Sequence, residues 1–156
     1  MKATISLMAM FSCVLSFTSM AQDQAALRKK KFNLESNLAI DGYDPVAYFK
    51  LNKAVKGKKD LAVSHQGIIY YFSSAETKDE FKRNPSHYEP EYGGWCAYAM
   101  GAKGEKVSVD PETFKIIDNK LYLFYNRFFN NTLKSWNKDE SRLKQSADVN
   151  WKKIYH

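Results

Sequence analysis

The apolar positions change their spacing along the chain, and each change marks an element. Residues 5–17 form an apolar run broken only by small polar side chains. From 41 to 125, short β-branched and aromatic runs alternate with glycine, proline, aspartate and asparagine turns. Residues 62–65 and 68–72 about Gln66-Gly67 predict a hairpin. Ser73-Ser74-Ala75-Glu76 is an S-x-x-E box that starts a helix, which runs through Phe81 and stops before Pro85. Asp41-Gly42-Tyr43-Asp44-Pro45 predicts a turn, followed by a short apolar element over 46–49. Trp95, Tyr98, Ala99 and Ala102 have helical spacing, and Gly104 ends that helix. Strands are predicted over 106–109, 113–117 and 120–125, joined at Asp110-Pro111 and Asp118-Asn119. Two helical stripes close the chain: Phe129, Leu133 and Trp136, then Leu143, Ala147, Trp151 and Ile154. The expected class is α+β, a small antiparallel sheet packed with helices. No internal repeat is read, residues 53–59 form a lysine-rich loop, and 22–31 read as a mobile basic tail followed by a lead-in over 32–40.

The opening run changes the expected location. Lys2 precedes it, and Ser19-Met20-Ala21 places small residues before Gln22. This order predicts a signal peptide over 1–21 and an exported, periplasmic or secreted protein. The run is too short for a bilayer anchor, and Cys13 lies mid-run, away from a lipoprotein acylation position. The 156 residues, 44% hydrophobic and 15% aromatic, then suit one domain over 41–156. The formal charge of +7 is dispersed among acids. It reads as a solvated surface, with an anionic membrane face or polymer as the minor alternative and no nucleic acid.

Candidate chemistry centres on Tyr92-Gly93-Gly94-Trp95-Cys96-Ala97, which holds the one cysteine left after the leader. A lone exported thiol is structural, a soft-metal ligand or a redox centre. As a ligand, Cys96 stands four before Met100 on a helix. Thiolate and thioether favour Cu(I), and His65, then His87, could add imidazole; His156 is terminal. Copper is the first expectation and zinc the second. As a redox centre, the two glycines would put Cys96 in a first helical turn, where the dipole lowers its pKa, and an external thiol would resolve it. As a structural residue, it leaves binding of a small ligand or partner to a pocket of Tyr43, Tyr48, Tyr92, Trp95 and Tyr98, with Asp41 and Asp44 as acceptors. No Ser-His-Asp order, Gly-rich phosphate loop, H-E-x-x-H or EF-hand spacing is present.

Several motifs carry a resemblance. Gly42-Tyr43-Asp44-Pro45-Val46-Ala47-Tyr48-Phe49, the run from His65-Gln66-Gly67 through Tyr70-Tyr71-Phe72-Ser73-Ser74 to Phe81, Pro85 and Tyr88, the YGGWCA hexapeptide, and Asp110-Pro111 with Leu121-Tyr122-Leu123 resemble the exported form of the YHS-domain family. The likeness covers roughly 41–151. It implies a small α+β metal-handling module, with cysteines in the first turn and just after the Y-Y-F strand. Val46-Ala47 and Ser73-Ser74 stand there instead, so those ligands do not transfer. Some exported relatives are selenoproteins, which gives Cys96 redox weight if their selenocysteine falls at this position.

Overall fold

The computed structural model describes residues 22–155; the predicted leader over 1–21 and His156 lie outside the described residues. Residues 22–31 are helix α1, not the mobile tail expected. Arg28 turns inward, 8% exposed, and pairs with Glu89, which also accepts the Tyr70 hydroxyl at 2.6 Å. The Trp95 indole N–H donates to the Lys31 carbonyl at 2.7 Å. One residue of this basic run thus has a largely buried carboxylate partner in place of solvent.

The rest is α+β, as expected. Strands β1 (Leu34–Glu35), β2 (Leu38–Ala39), β3 (Lys58–His65) and β4 (Ile68–Phe72) form a sheet in the order β1-β2-β4-β3. Only the β2–β4 pairing is parallel. Helix α2 (Pro45–Leu51) precedes β3, and α3 (Ala75–Arg83) and α4 (Pro85–Tyr88) follow β4. The capping box falls one residue later than read: Ser74 caps α3 with Thr77, because the Ser73 hydroxyl donates to Asp44 at 2.7 Å. Helix α5 (Ala97–Lys103) leads into the pair β5 (Asp110–Ile117) and β6 (Lys120–Phe124). The small hairpin β7 (Asn126–Arg127) and β8 (Asn130–Asn131) follows, then α6 (Thr132–Trp136) and α7 (Glu140–Tyr155). No strand forms over 106–109; β5 instead runs through Asp110-Pro111, where a register irregularity tolerates a proline with no N–H to offer.

The chain contains a structural repeat that the sequence reading missed. Residues 40–72 and 92–124 pass through the same elements at a constant offset, 92 − 40 = 52. Each half opens on three consecutive left-handed residues, Ile40-Asp41-Gly42 and Tyr92-Gly93-Gly94. Each then has a seven-residue helix ended by a left-handed residue, Asn52 or Gly104. An eight-residue strand, a two-residue turn and a five-residue strand follow in both, with the register irregularity at the same place. Even single hydrogen bonds recur. The Asp44 N–H bonds to the Val55 carbonyl at 2.8 Å, and the Cys96 N–H to the Val107 carbonyl at 2.9 Å. The repeat escaped because few side chains coincide, namely Gly42/Gly94, Ala47/Ala99, Val55/Val107, Tyr70/Tyr122 and Phe72/Phe124.

The halves diverge after residue 124. In the first, Ser73 and Ser74 lead directly into α3; in the second, the β7–β8 hairpin is inserted before α6. One core cluster joins Val46, Tyr48, Tyr70, Phe72 and Phe81 to Cys96, Leu121 and Leu123. A second holds Tyr92, Met100, Tyr122, Phe124 and Trp136 against Leu143 and Ala147 of α7, whose predicted stripe is the one that packs. Phe129 leaves its predicted stripe, because it stands in the β7–β8 turn rather than in α6. The helix axes of α5 and α7 approach closely at Gly101, where a Cβ would lie 2.4 Å from the Leu143 carbonyl oxygen.

Candidate functional site: a cavity over Cys96

Cys96 is the N-cap residue of α5, not a residue of its first turn. Its side chain is 0% exposed. The left-handed Tyr92-Gly93-Gly94 turn folds the chain inward just before it. Thr132 donates its hydroxyl proton to the Tyr125 carbonyl at 2.8 Å. The Thr132 oxygen is then free to accept the Cys96 S–H, 3.4 Å away. The Tyr125 N–H donates to the sulfur, also at 3.4 Å. The thiol therefore gives one hydrogen bond and receives one, which suits its neutral form.

Above this floor lies a cavity of about 240 Å³. Half-buried Tyr98, Ala99, Val107 and Tyr125 wall it, and exposed Ala102, Lys103, Glu105 and Asn130 ring its mouth. The arrangement is a small apolar funnel with a charged rim and a hydrogen-bonded polar base. Helix α5 supplies one wall because its 97–103 backbone turns Tyr98 and Ala99 to the same side as Ala102. The loop returning to β5 supplies Val107, held by the Cys96–Val107 bond.

The other expected residues disperse. Met100 shares a helical spacing with Cys96, but the cap backbone of Cys96 is not helical, and Met100 packs in the second core cluster. His65 lies edge-on to Phe81, ring centroids 6.0 Å apart, and its Nε2 is buried without a partner. His87 packs tilted against Phe49 at 5.0 Å and edge-on to Tyr88 at 4.6 Å. Among the described residues, no group of three or more His, Cys, Asp or Glu side chains could hold a metal ion.

The expected aromatic pocket is not one pocket. Tyr43 donates to Glu112 at 2.9 Å under the Lys56 ammonium, and that hydrogen bond holds its pKa above the ordinary tyrosine value. Tyr48 donates to the Pro111 carbonyl at 2.9 Å, and Tyr92 to Asp148 at 2.9 Å. Burial pushes both phenols upward. Trp95 lies beneath the Lys106 ammonium. Tyr98 alone of the five aromatics lines the cavity with Cys96. Asp44 is fully buried and caps α2, accepting from the Val46, Ala47 and Ser73 N–H groups and from the Ser73 hydroxyl.

Val107, Tyr125 and Thr132 were not singled out from sequence. The 52-residue offset is the signal that finds two of them: it maps Val55 to Val107, and Asp44 with Ser73 to Cys96 with Tyr125. No family model matches the chain, and neither a curated protein nor a solved structure matches it.

Proposed function

We propose that the chain is an exported small-ligand-binding module of the YHS type that its motifs resemble. Its site is the cavity over Cys96, and the cysteine is structural. The observation that carries this reading is the funnel itself, apolar-walled and closed below by a thiol whose proton already has an acceptor. The volume lies under about 300 Å³, the small end of ordinary ligand sites. The ligand is accordingly a compact apolar or aromatic molecule with one polar group, which Lys103, Glu105 or Asn130 meets at the mouth. A soft metal at Cys96, copper first, would have to take its remaining donors from the ligand, since Met100 packs in a different core cluster and His65 and His87 lie against other rings.

The test is a fragment screen followed by amide chemical shifts, on the wild-type protein and Ala102→Trp. Ala102 is exposed at the mouth, so tryptophan blocks entry without disturbing the core. Ligands should shift the Val107, Tyr125 and Thr132 signals, and Ala102→Trp should abolish the shifts. Hits that bind elsewhere, or that ignore the substitution, sink the proposal. Copper or zinc alone shifting the same signals would replace it with the metal reading.

A further inference from the structure

Four hairpins among the described residues turn on two residues with positive φ. Three use residues suited to that geometry: Ser36-Asn37, Gln66-Gly67 and Asp118-Asn119. Glycine, asparagine and aspartate are the usual occupants because a bulky side chain is strained there. The fourth turn, in β7–β8, is Phe128-Phe129, with φ of 51° and 63°. Nothing in the fold compensates: the two rings are 89% and 111% exposed. The hairpin is also the insertion that interrupts the second half of the repeat. An added element, strained at its tip and presenting two aromatics to solvent, is the mark of a contact surface.

We propose that this hairpin docks the protein on an anionic membrane surface, with Phe128 and Phe129 inserted at the boundary between headgroups and acyl chains. Charge identifies the occupant. Residues 124–138 contain Arg127, Lys134 and Lys138 and no acidic residue, within a chain of net charge +7. Exposed Arg127 adjoins Phe128, and Lys103 lines the cavity with Asn130 of β8. The nearby acids are Glu105 at that mouth, Asp110 opposite Phe124 at the end of the β5–β6 ladder, and Glu35 and Asp41, which share a surface pocket with Arg127. Shape argues the same way. Two rings on a convex tip fall far below the roughly 800 Å² per partner of a stable protein interface. A lipid surface takes a projecting aromatic tip with flanking cations without needing a complementary groove. The inference stands apart from the cavity reading, because neither ring lines the cavity.

The experiment measures co-sedimentation with phosphatidylcholine vesicles, with and without phosphatidylglycerol, for wild type, F128N/F129G and Arg127→Gln prepared in the same form. Wild type should bind the anionic vesicles. F128N/F129G should lose at least tenfold in affinity while melting at a higher temperature, since it installs the favoured turn pair. Arg127→Gln should weaken binding to anionic vesicles, and added salt should do the same. The raised melting temperature separates lost docking from lost folding. Equal binding by wild type and F128N/F129G overturns the proposal, as does absence of binding by either. Self-association or capture of a protein partner that depends on the two rings, without vesicle binding, also overturns it.

Discussion

Asp44 and Cys96 hold the same position in the two halves of the chain and close it with different chemistry. Each precedes a seven-residue helix, and each side chain accepts the N–H of the first residue beyond a hairpin, Ser73 or Tyr125. The carboxylate gathers four donors and is satisfied as an anion. The thiol accepts one hydrogen bond and donates its S–H to the Thr132 oxygen, so it is satisfied as a neutral group. The first half is thereby sealed around a buried charge, and the second keeps a recess above a soft, uncharged floor.

This asymmetry sets the first expectation. Asp44→Ala removes the cap of α2 and leaves the buried donors around Ser73 unmatched, at a cost of about 2–4 kcal/mol. Cys96→Ser keeps a donor and an acceptor and should cost about 1 kcal/mol. Urea unfolding of the two variants checks the order; a larger loss for Cys96→Ser contradicts the equivalence.

The thiol should be silent in the native state. Alkylation of Cys96 is expected to follow global unfolding, rising with urea along the same curve as the loss of tryptophan signal. Modification of the folded protein at the rate of a free thiol would contradict the bonded geometry.

The contact between α5 and α7 at Gly101 has no room for a methyl group. Gly101→Ala must push Leu143 and its helix outward, and overpacking of this kind costs about 1–3 kcal/mol. The loss should appear in thermal melts. It should be relieved little by Leu143→Ala, because the obstacle is backbone.

Alkali should unfold the protein through its tyrosines. Burial is the first cause raising Tyr48, Tyr70, Tyr92 and Tyr122 above their ordinary value. Above about pH 10 the unfolded chain releases these protons while the folded chain retains them. Stability therefore falls as pH rises, by up to about 1.4 kcal/mol per pH unit for each phenol. Phenolate absorbance should show this group appearing together with the loss of near-ultraviolet dichroism. Smooth titration of all the tyrosines in a folded protein would contradict it.

Local signals in the sequence carried the elements well. The Gln66-Gly67 hairpin, the helix after Ser74, the end of α5 at Gly104 and the Leu143–Ala147 stripe all follow from turn chemistry and spacing. What failed depended on distant partners. The inward turn of Arg28 requires Glu89, and the burial of Cys96 requires Tyr125 and Thr132, whose contacts no local pattern announces. The aromatic pocket failed for a related reason. Tyr43 and Tyr48 are held to β5, Tyr92 to α7 and Trp95 to the end of α1, so proximity in sequence did not become a shared face. The repeat was hidden because its constancy lies in backbone conformation, where an isoleucine, an aspartate and a tyrosine hold the left-handed φ that glycine takes at other positions.

The repeated half also bears on how the chain reaches this structure. Within each half, the left-handed turn, helix and hairpin meet over short stretches of sequence, the kind of contact that forms early and fast. The links between halves are long: the Tyr48 hydroxyl to Pro111 and the Tyr48 ring to Phe114. Two local nuclei can thus assemble before the seam between them closes. The shared backbone path then carries a hazard, because the first half of one molecule offers a neighbouring chain much the same surface that its own second half expects. The dissimilar side chains at the 52-residue offset limit that exchange, and Asp44 against Cys96 is its clearest guard: a buried carboxylate fits where Ser73 waits, and a thiol fits beside Thr132.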